Sequence, residues 1–156
     1  MKLVEIEDVR VGQIRKNFDD LILIEAEKPN GFLYYQAFNE FGGFMNKDVK
    51  ASYKFLAMPI IGKLGITHRF EENRLVERPR SAGFQVDDIV KFKWDPRLYV
   101  INREIDFGIK KTHPDNSCFE ATNDLYGSRQ LVDFELKRIG ILGVTHEFVN
   151  DREVQQ

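Results

Sequence analysis

The chain is 156 residues long, 42% hydrophobic and 31% charged, with 23 Lys plus Arg against 25 Asp plus Glu and a formal net charge of -2. This is the composition of one ordinary folded domain or two very small ones; it excludes a disordered or fibrous chain and one that holds nucleic acid by bulk positive charge. No apolar run approaches the roughly 20 residues needed to cross a bilayer, Met1-Lys2-Leu3-Val4-Glu5 starts no signal-peptide core, and the single Cys118 has no internal disulfide partner, so a cytoplasmic setting is expected.

In chain order, Val11-Gly12-Gln13-Ile14 leads into a first strand. Residues 21–27 and 32–38 read as two more, flanking Lys28-Pro29-Asn30-Gly31. Asn-Gly tolerates positive φ at both central positions, which predicts a type I′ hairpin. Residues 46–56 fit either a helical turn or a fourth strand. The polar Pro/Gly segment over residues 77–83 predicts a boundary, with one domain over 1–78 and another over 79–156.

Strands are expected again in the second half. Val90, Phe92 and Trp94 fall on one face of a strand whose other face carries Lys91 and Lys93. A second run centres on Tyr99-Val100-Ile101, and a third on Cys118-Phe119-Glu120-Ala121. Residues 131–137 alternate, with Val132, Phe134 and Leu136 inward, and Gly143-Val144-Thr145-His146-Glu147-Phe148 ends the series. Neither half holds a long stretch of helical period.

Ile61-Gly62-Lys63-Leu64-Gly65-Ile66-Thr67-His68-Arg69-Phe70-Glu71-Glu72-Asn73-Arg74 repeats 78 residues later as Ile139-Gly140-Ile141-Leu142-Gly143-Val144-Thr145-His146-Glu147-Phe148-Val149-Asn150-Asp151-Arg152, with eight of the 14 positions identical. Leu21-Ile22-Leu23-Ile24 aligns with Leu98-Tyr99-Val100-Ile101, and Ile14 with Ile89. The sequence therefore implies an internal duplication. Five short strands per copy usually close on themselves, because closure removes exposed edges. On this pattern the chain resembles a tandem of SH3-like small barrels, the group that includes Tudor and KOW-type modules. Val11-Gly12-Gln13-Ile14 is similar to the glycine-x-hydrophobic start of such barrels, and the Leu-Val-Asp-Phe-Glu-Leu run to their penultimate strand. The second copy departs from the first of these, with Asp87-Asp88-Ile89 and no glycine.

Catalytic patterns are thin. No nucleophile elbow, phosphate loop or dinucleotide fingerprint occurs, and neighbouring acids such as Asp19-Asp20, Glu71-Glu72 and Asp87-Asp88 point to opposite faces of a strand. Neither an enzyme nor a cofactor is expected. His68 and His146 invite a metal reading with Cys118 or His113, but the spacing lacks a ligand motif. The reading preferred is structural: each ring ties down a loop, and the glycines before it permit a tight turn.

The 19 aromatic residues are the remaining resource. Most must fill cores. Trp94-Asp95-Pro96-Arg97-Leu98-Tyr99 combines aromatic, rigid and basic residues in a loop that borders a ligand groove in SH3-like barrels, so the resemblance implies partner contacts at Trp94, Arg97 and Tyr99, assisted by Lys110 and Lys111. The second candidate patch is Tyr34 and Tyr35, near Phe38, Phe41 and Phe44. Adjacent tyrosines on a strand cannot both face inward, so one is expected at the surface. The function expected is a non-enzymatic protein-interaction module, a small regulator or inhibitor of the kind bacteriophages encode, docking a larger protein. The alternatives are single-stranded nucleic-acid binding on an aromatic-basic face and an unrecognised metal-dependent activity.

Overall fold

A computed structural model describes residues 2–80, 83–93, 96–105, 118–123, 128–132 and 136–150. The chain is mainly β and divides into two compact units. Strand β1 (Lys2–Glu5) belongs to the second unit. The first unit, Glu7–Pro79, contains β2 (Gln13–Asn17), β3 (Asp20–Glu27), β4 (Phe32–Phe38), β5 (Phe44–Ala51), a 3₁₀ turn (Ser52–Phe55), β6 (Ile60–Lys63), β7 (His68–Glu71) and β8 (Arg74–Glu77). The second unit, Met1–Ile6 with Arg80–Gln156, continues with β9 (Asp88–Phe92), β10 (Leu98–Ile105), β11 (Cys118–Asn123), β12 (Ser128–Val132), β13 (Leu136–Ile141) and β14 (His146–Val149). None of the helices is long and apolar enough to cross a membrane, among the described residues.

Both units have the same strand order. One sheet runs β5-β4-β3-β2-β6 and the other β12-β11-β10-β9-β13: an antiparallel meander of four strands whose fifth returns beside the first. A two-stranded ladder accompanies each, β7 with β8 and β1 with β14. Neither five-stranded sheet closes into a barrel, since β5 and β6, or β12 and β13, remain its edges. The expected closed five-stranded barrels are corrected to this extent.

Each sheet is covered on both faces, which explains why runs such as Ile22-Leu23-Ile24 are buried throughout instead of alternating. In the first unit Ile22 and Ile24 pack with Leu33, Tyr35, Ala37 and Phe55, while Ile14, Leu23, Phe38 and Leu75 form a second cluster. The second unit repeats the latter with Leu3, Ile89 and Val100, joined by Leu98, Leu142 and Phe148. Burying each such aliphatic side chain is worth about 1.5–3 kcal/mol.

The two-stranded ladders differ in how the chain supplies them. β7 and β8 form a hairpin over Glu72 and Asn73, whose φ values of 50° and 66° are those a type I′ turn demands. β14 instead takes its partner from the far end of the sequence, with Leu3 opposite Phe148 and Glu5 opposite His146. Residues 1–6 therefore belong with the second half, and the expected division at 78/79 is corrected there. The strands Lys2-Leu3-Val4-Glu5 and Arg74-Leu75-Val76-Glu77 are near copies and do the same work: Leu3 and Leu75 fill matching clusters.

Other sequence expectations resolve locally. The Lys28–Gly31 connection is a longer turn, closed by Gly31 N–H to Lys28 O at 3.2 Å and Lys28 N–H to Phe32 O at 2.8 Å, with only Gly31 at positive φ. It is not type I′. Residues 46–56 hold both alternatives, the rest of β5 and then the 3₁₀ turn. Of the strand expected over 131–137, Leu131 and Val132 lie in β12, Leu136 and Lys137 in β13 with Leu136 buried, and residues 133–135, Phe134 among them, lie outside the described residues. Asp87 stands where the first unit has Gly12, and both take positive φ, 75° and 92°. Their amides bind equivalent carbonyls, Ile101 O at 2.9 Å and Ile24 O at 2.8 Å. An aspartate tolerates this left-handed backbone, so glycine is not required.

Candidate functional site

The repeated Thr-His pairs sit at the start of the last ladders. The Thr67 hydroxyl accepts a hydrogen bond from the Lys63 amide at 2.8 Å and lies 2.7 Å from His68 Nδ1. Thr145 does the same with the Ile141 amide at 2.9 Å and His146 Nδ1 at 2.8 Å. Both rings are buried against a glycine, Gly62 or Gly140, where a side chain would collide with the imidazole. The contact is to a hydroxyl rather than to a loop carbonyl. Among the described residues no group of three or more His, Cys, Asp or Glu side chains is placed to hold a metal ion.

Burial lowers both histidine pKa values below the usual 6.5, against the opposing pull of Glu77 on His68 and Glu5 on His146. The folded chain thus favours neutral rings. Its stability from this source is present above about pH 6.5 and is lost as pH falls through the depressed folded-state values, because the unfolded chain then binds protons that the folded chain refuses. Urea midpoints measured from pH 7.5 down to 5 are expected to fall, and to fall less in His68→Gln. His68→Ala at pH 7.5 is expected to cost about 1–2 kcal/mol.

Among the described residues, most of the exposed large apolar side chains lie in the first unit. Phe38, buried, stacks edge-on with Phe44 (centroids 5.9 Å) and tilts against Phe70 (5.8 Å), whose own outer faces remain 54% and 46% exposed. Beside them a cavity of about 400 Å³ is lined by Leu21, Glu40, Phe41, Ile61, His68, Leu75, Val76 and Glu77. Phe41, 72% exposed, stands in the β4–β5 loop, held by the Asn39 side chain through its own amide and that of Gly43, each at 2.9 Å. Gly42 is obligatory there: its φ is 86°, and a Cβ would overlap the Leu75 carbonyl oxygen. At the same end of the sheet, the β2–β3 turn presents Phe18, 91% exposed at a φ of 54° that a bulky side chain rarely adopts. The corresponding connection of the second unit, 93–97, carries Trp94 in the sequence.

A second groove, of about 440 Å³, lies between β3, β4 and β5 and is lined by Glu25, Ala26, Tyr34, Tyr35, Lys47, Asp48 and Val49. Tyr34 is 41% exposed with Lys28 Nζ 5.3 Å from its ring, whereas Tyr35 is buried and edge-stacked on Phe55 at 5.5 Å. One tyrosine of the pair faces out, as strand alternation requires.

Of the contact residues expected in the second unit, Arg97 and Tyr99 are described. Tyr99 is 2% exposed, packed with Val90, Ile101 and Ala121 and edge-on to Phe92 at 5.7 Å, so its ring offers no stacking surface; this corrects its assignment. It occupies the core position that Ile22 fills in the first unit. Arg97 is exposed. Trp94, Lys110 and Lys111 lie outside the described residues.

Of the aromatics that the sequence places around Gly42-Gly43, Phe38 and Phe44 are in ring contact, and Phe70 of β7 joins them by tertiary proximity. No protein-family model, curated protein or solved structure matches the chain.

Proposed function

We propose that the chain is a non-enzymatic protein-interaction module whose contact surface is the phenylalanine-rich end of the first unit. The observation that carries this reading is the cavity lined by Phe41, Ile61 and Leu75 together with the acidic residues Glu40 and Glu77, in the unit that also exposes Phe44 and Phe70. Exposing several large aromatics in one place forgoes burial worth about 2 kcal/mol each, and interfaces are where such residues recover it. The lining's charge selects the partner. An apolar side chain flanked by Lys or Arg fits the cavity, while a phosphate backbone meets two carboxylates. Tyr34 and Tyr35 mark the second groove, where Lys28, Lys47 and Lys50 favour the alternative of single-stranded nucleic acid, opposed by Glu25 and Asp48.

The same reading takes the two units as duplicated copies of an SH3-like module with open five-stranded sheets, in a cytoplasmic regulator or inhibitor. Support comes from the matched strand orders, the matched core positions and the repeated glycine-threonine-histidine turns.

Selection of peptides from a random display library against the full chain is expected to yield sequences with one large apolar residue beside basic residues. Phe41→Ala is expected to weaken their binding at least tenfold while leaving the thermal midpoint nearly unchanged, since the ring is exposed. Binding that is indifferent to Phe41→Ala, or binding of oligo-dT whose log K falls linearly with log salt, contradicts the reading.

A further inference from the structure

The second unit is completed by a strand that the sequence attaches to the first. β1 lies on β14 through four residue pairs, Lys2–Val149, Leu3–Phe148, Val4–Glu147 and Glu5–His146, and Leu3 fills the Ile89–Val100 cluster. Its connection is short and pinned at both ends. The Ile6 amide binds Thr145 O at 2.8 Å in the second unit, while the Asp8 carbonyl accepts from Gln13 Nε2 at 2.9 Å and Arg15 Nη2 at 3.2 Å in the first. Glu7, exposed, is the joint between them. The equivalent seam of the first unit is closed by its own hairpin, so one architecture accepts the strand either from the adjoining chain or from a distant segment.

We propose that the β14 edge is an interaction surface for a second copy of this chain: each protomer's β1 lies on its partner's β14, giving a strand-exchanged dimer. Exchange keeps every pair of the ladder and the seat of Leu3. A one-residue joint between two anchored ends is the kind of connection from which exchange of an identical element proceeds, and the reciprocal arrangement is a closed two-fold contact. The occupant is fixed by chemistry as well. A basic-Leu-Val-Glu strand places leucine in the cluster, and β1 and β8 are the segments of this chain with that pattern.

The test uses cysteine pairs across one ladder position in a Cys118→Ser background. A Val4→Cys, Glu147→Cys double variant reports the ladder within a chain. The two single variants, mixed, unfolded together and refolded at high protein concentration before oxidation, report exchange, because a bond between positions 4 and 147 must then join two chains. The expected result is such a bond, identified in the cross-linked peptides, whose yield rises with concentration during refolding. The proposal is overturned if the double variant cross-links within the chain while the mixed singles give no 4–147 bond at any concentration. It is overturned equally if neither sample forms the bond, since the ladder itself is then absent.

Discussion

Gly62→Ala is expected to destabilise the first unit by about 3 kcal/mol, and Gly140→Ala to do the same to the second. A Cβ at Gly62 would overlap Thr67 Oγ1 and lie 2.5 Å from His68 Nδ1; at Gly140 it would overlap Thr145 Oγ1 and lie 2.7 Å from His146 Nδ1. Neither neighbour is the free end of a flexible side chain. The threonine is β-branched and receives an amide hydrogen bond, and the imidazole is buried, so accommodating the methyl group breaks the turn that starts the last ladder. Gly31→Ala is the control: at φ 81° but with nothing within 4 Å, it is expected to cost only about 1–2 kcal/mol from backbone strain. Urea unfolding followed by circular dichroism measures both, and equal costs at Gly31 and Gly62 would remove the steric argument.

The second large effect is expected at Arg15. Its side chain is 3% exposed and donates to Gln13 Oε1 at 3.0 Å, to the carbonyls of Phe55 at 3.0 Å and Met58 at 2.9 Å, and to Asp8 O. One guanidinium therefore ties the 3₁₀ turn and the lead-in of β2 together. Arg15→Ala deletes these charge-assisted hydrogen bonds and leaves the Met58 carbonyl without the guanidinium, and is expected to cost about 3 kcal/mol in the same unfolding measurement. Arg15→Lys recovers little of this, because one ammonium cannot span the same fork of acceptors. A loss under about 1 kcal/mol for Arg15→Ala would show that water replaces the guanidinium.

The second unit holds the turn before β9 with other residues. Val90 replaces Arg15 on the strand, and Arg80 reaches both oxygens of buried Asp88, with 2.9 Å from Nη1 to Oδ1. Asp88 also accepts from the Gln85 amide at 2.8 Å, as Gln13 does from Arg10 at 3.0 Å. Such a substitution is invisible to residue-by-residue alignment, since the charge moves from strand to preceding arm while the turn it supports stays constant.

What was legible in the sequence followed from local chemistry. The apolar runs flanking Asn30-Gly31 marked β3 and β4, the period-2 placing of Val90 and Phe92 marked β9, and the repeated glycine-threonine-histidine stretch marked two equivalent turns. The repeat that ends each copy does not mark β1 as part of the second unit; that signal lies in the likeness of Lys2-Leu3-Val4-Glu5 to Arg74-Leu75-Val76-Glu77, 72 residues apart. Continuing the alignment past Phe148 puts Glu153 where Leu75 stands, and a charged side chain is unsuited to that apolar cluster. The N-terminal copy with Leu3 supplies what the cluster needs.

The candidate site was legible only in part. Period 2 alone placed one of Tyr34 and Tyr35 outside, and the aromatics around Gly42-Gly43 were visible as a group. Tyr99 was misassigned because its neighbours Arg97 and Pro96 resemble a binding loop, whereas its own alignment with Ile22 already pointed inward. Phe18 carries no sequence signal, since a phenylalanine between Asn17 and Asp19 in a two-residue turn is at odds with turn propensity; its exposure follows from the hairpin's register.

The pairing of β1 tests the account most directly, because the equivalence of the two units and the place of residues 1–6 both depend on it. Isotope-edited nuclear Overhauser spectra of the full chain are expected to show cross-strand contacts between Leu3 and Phe148 and between Val4 and Glu147, matching those between Phe70 and Leu75 and between Arg69 and Val76. Contacts from the Leu3 methyl groups to β2–β8, or none to β14, would contradict it.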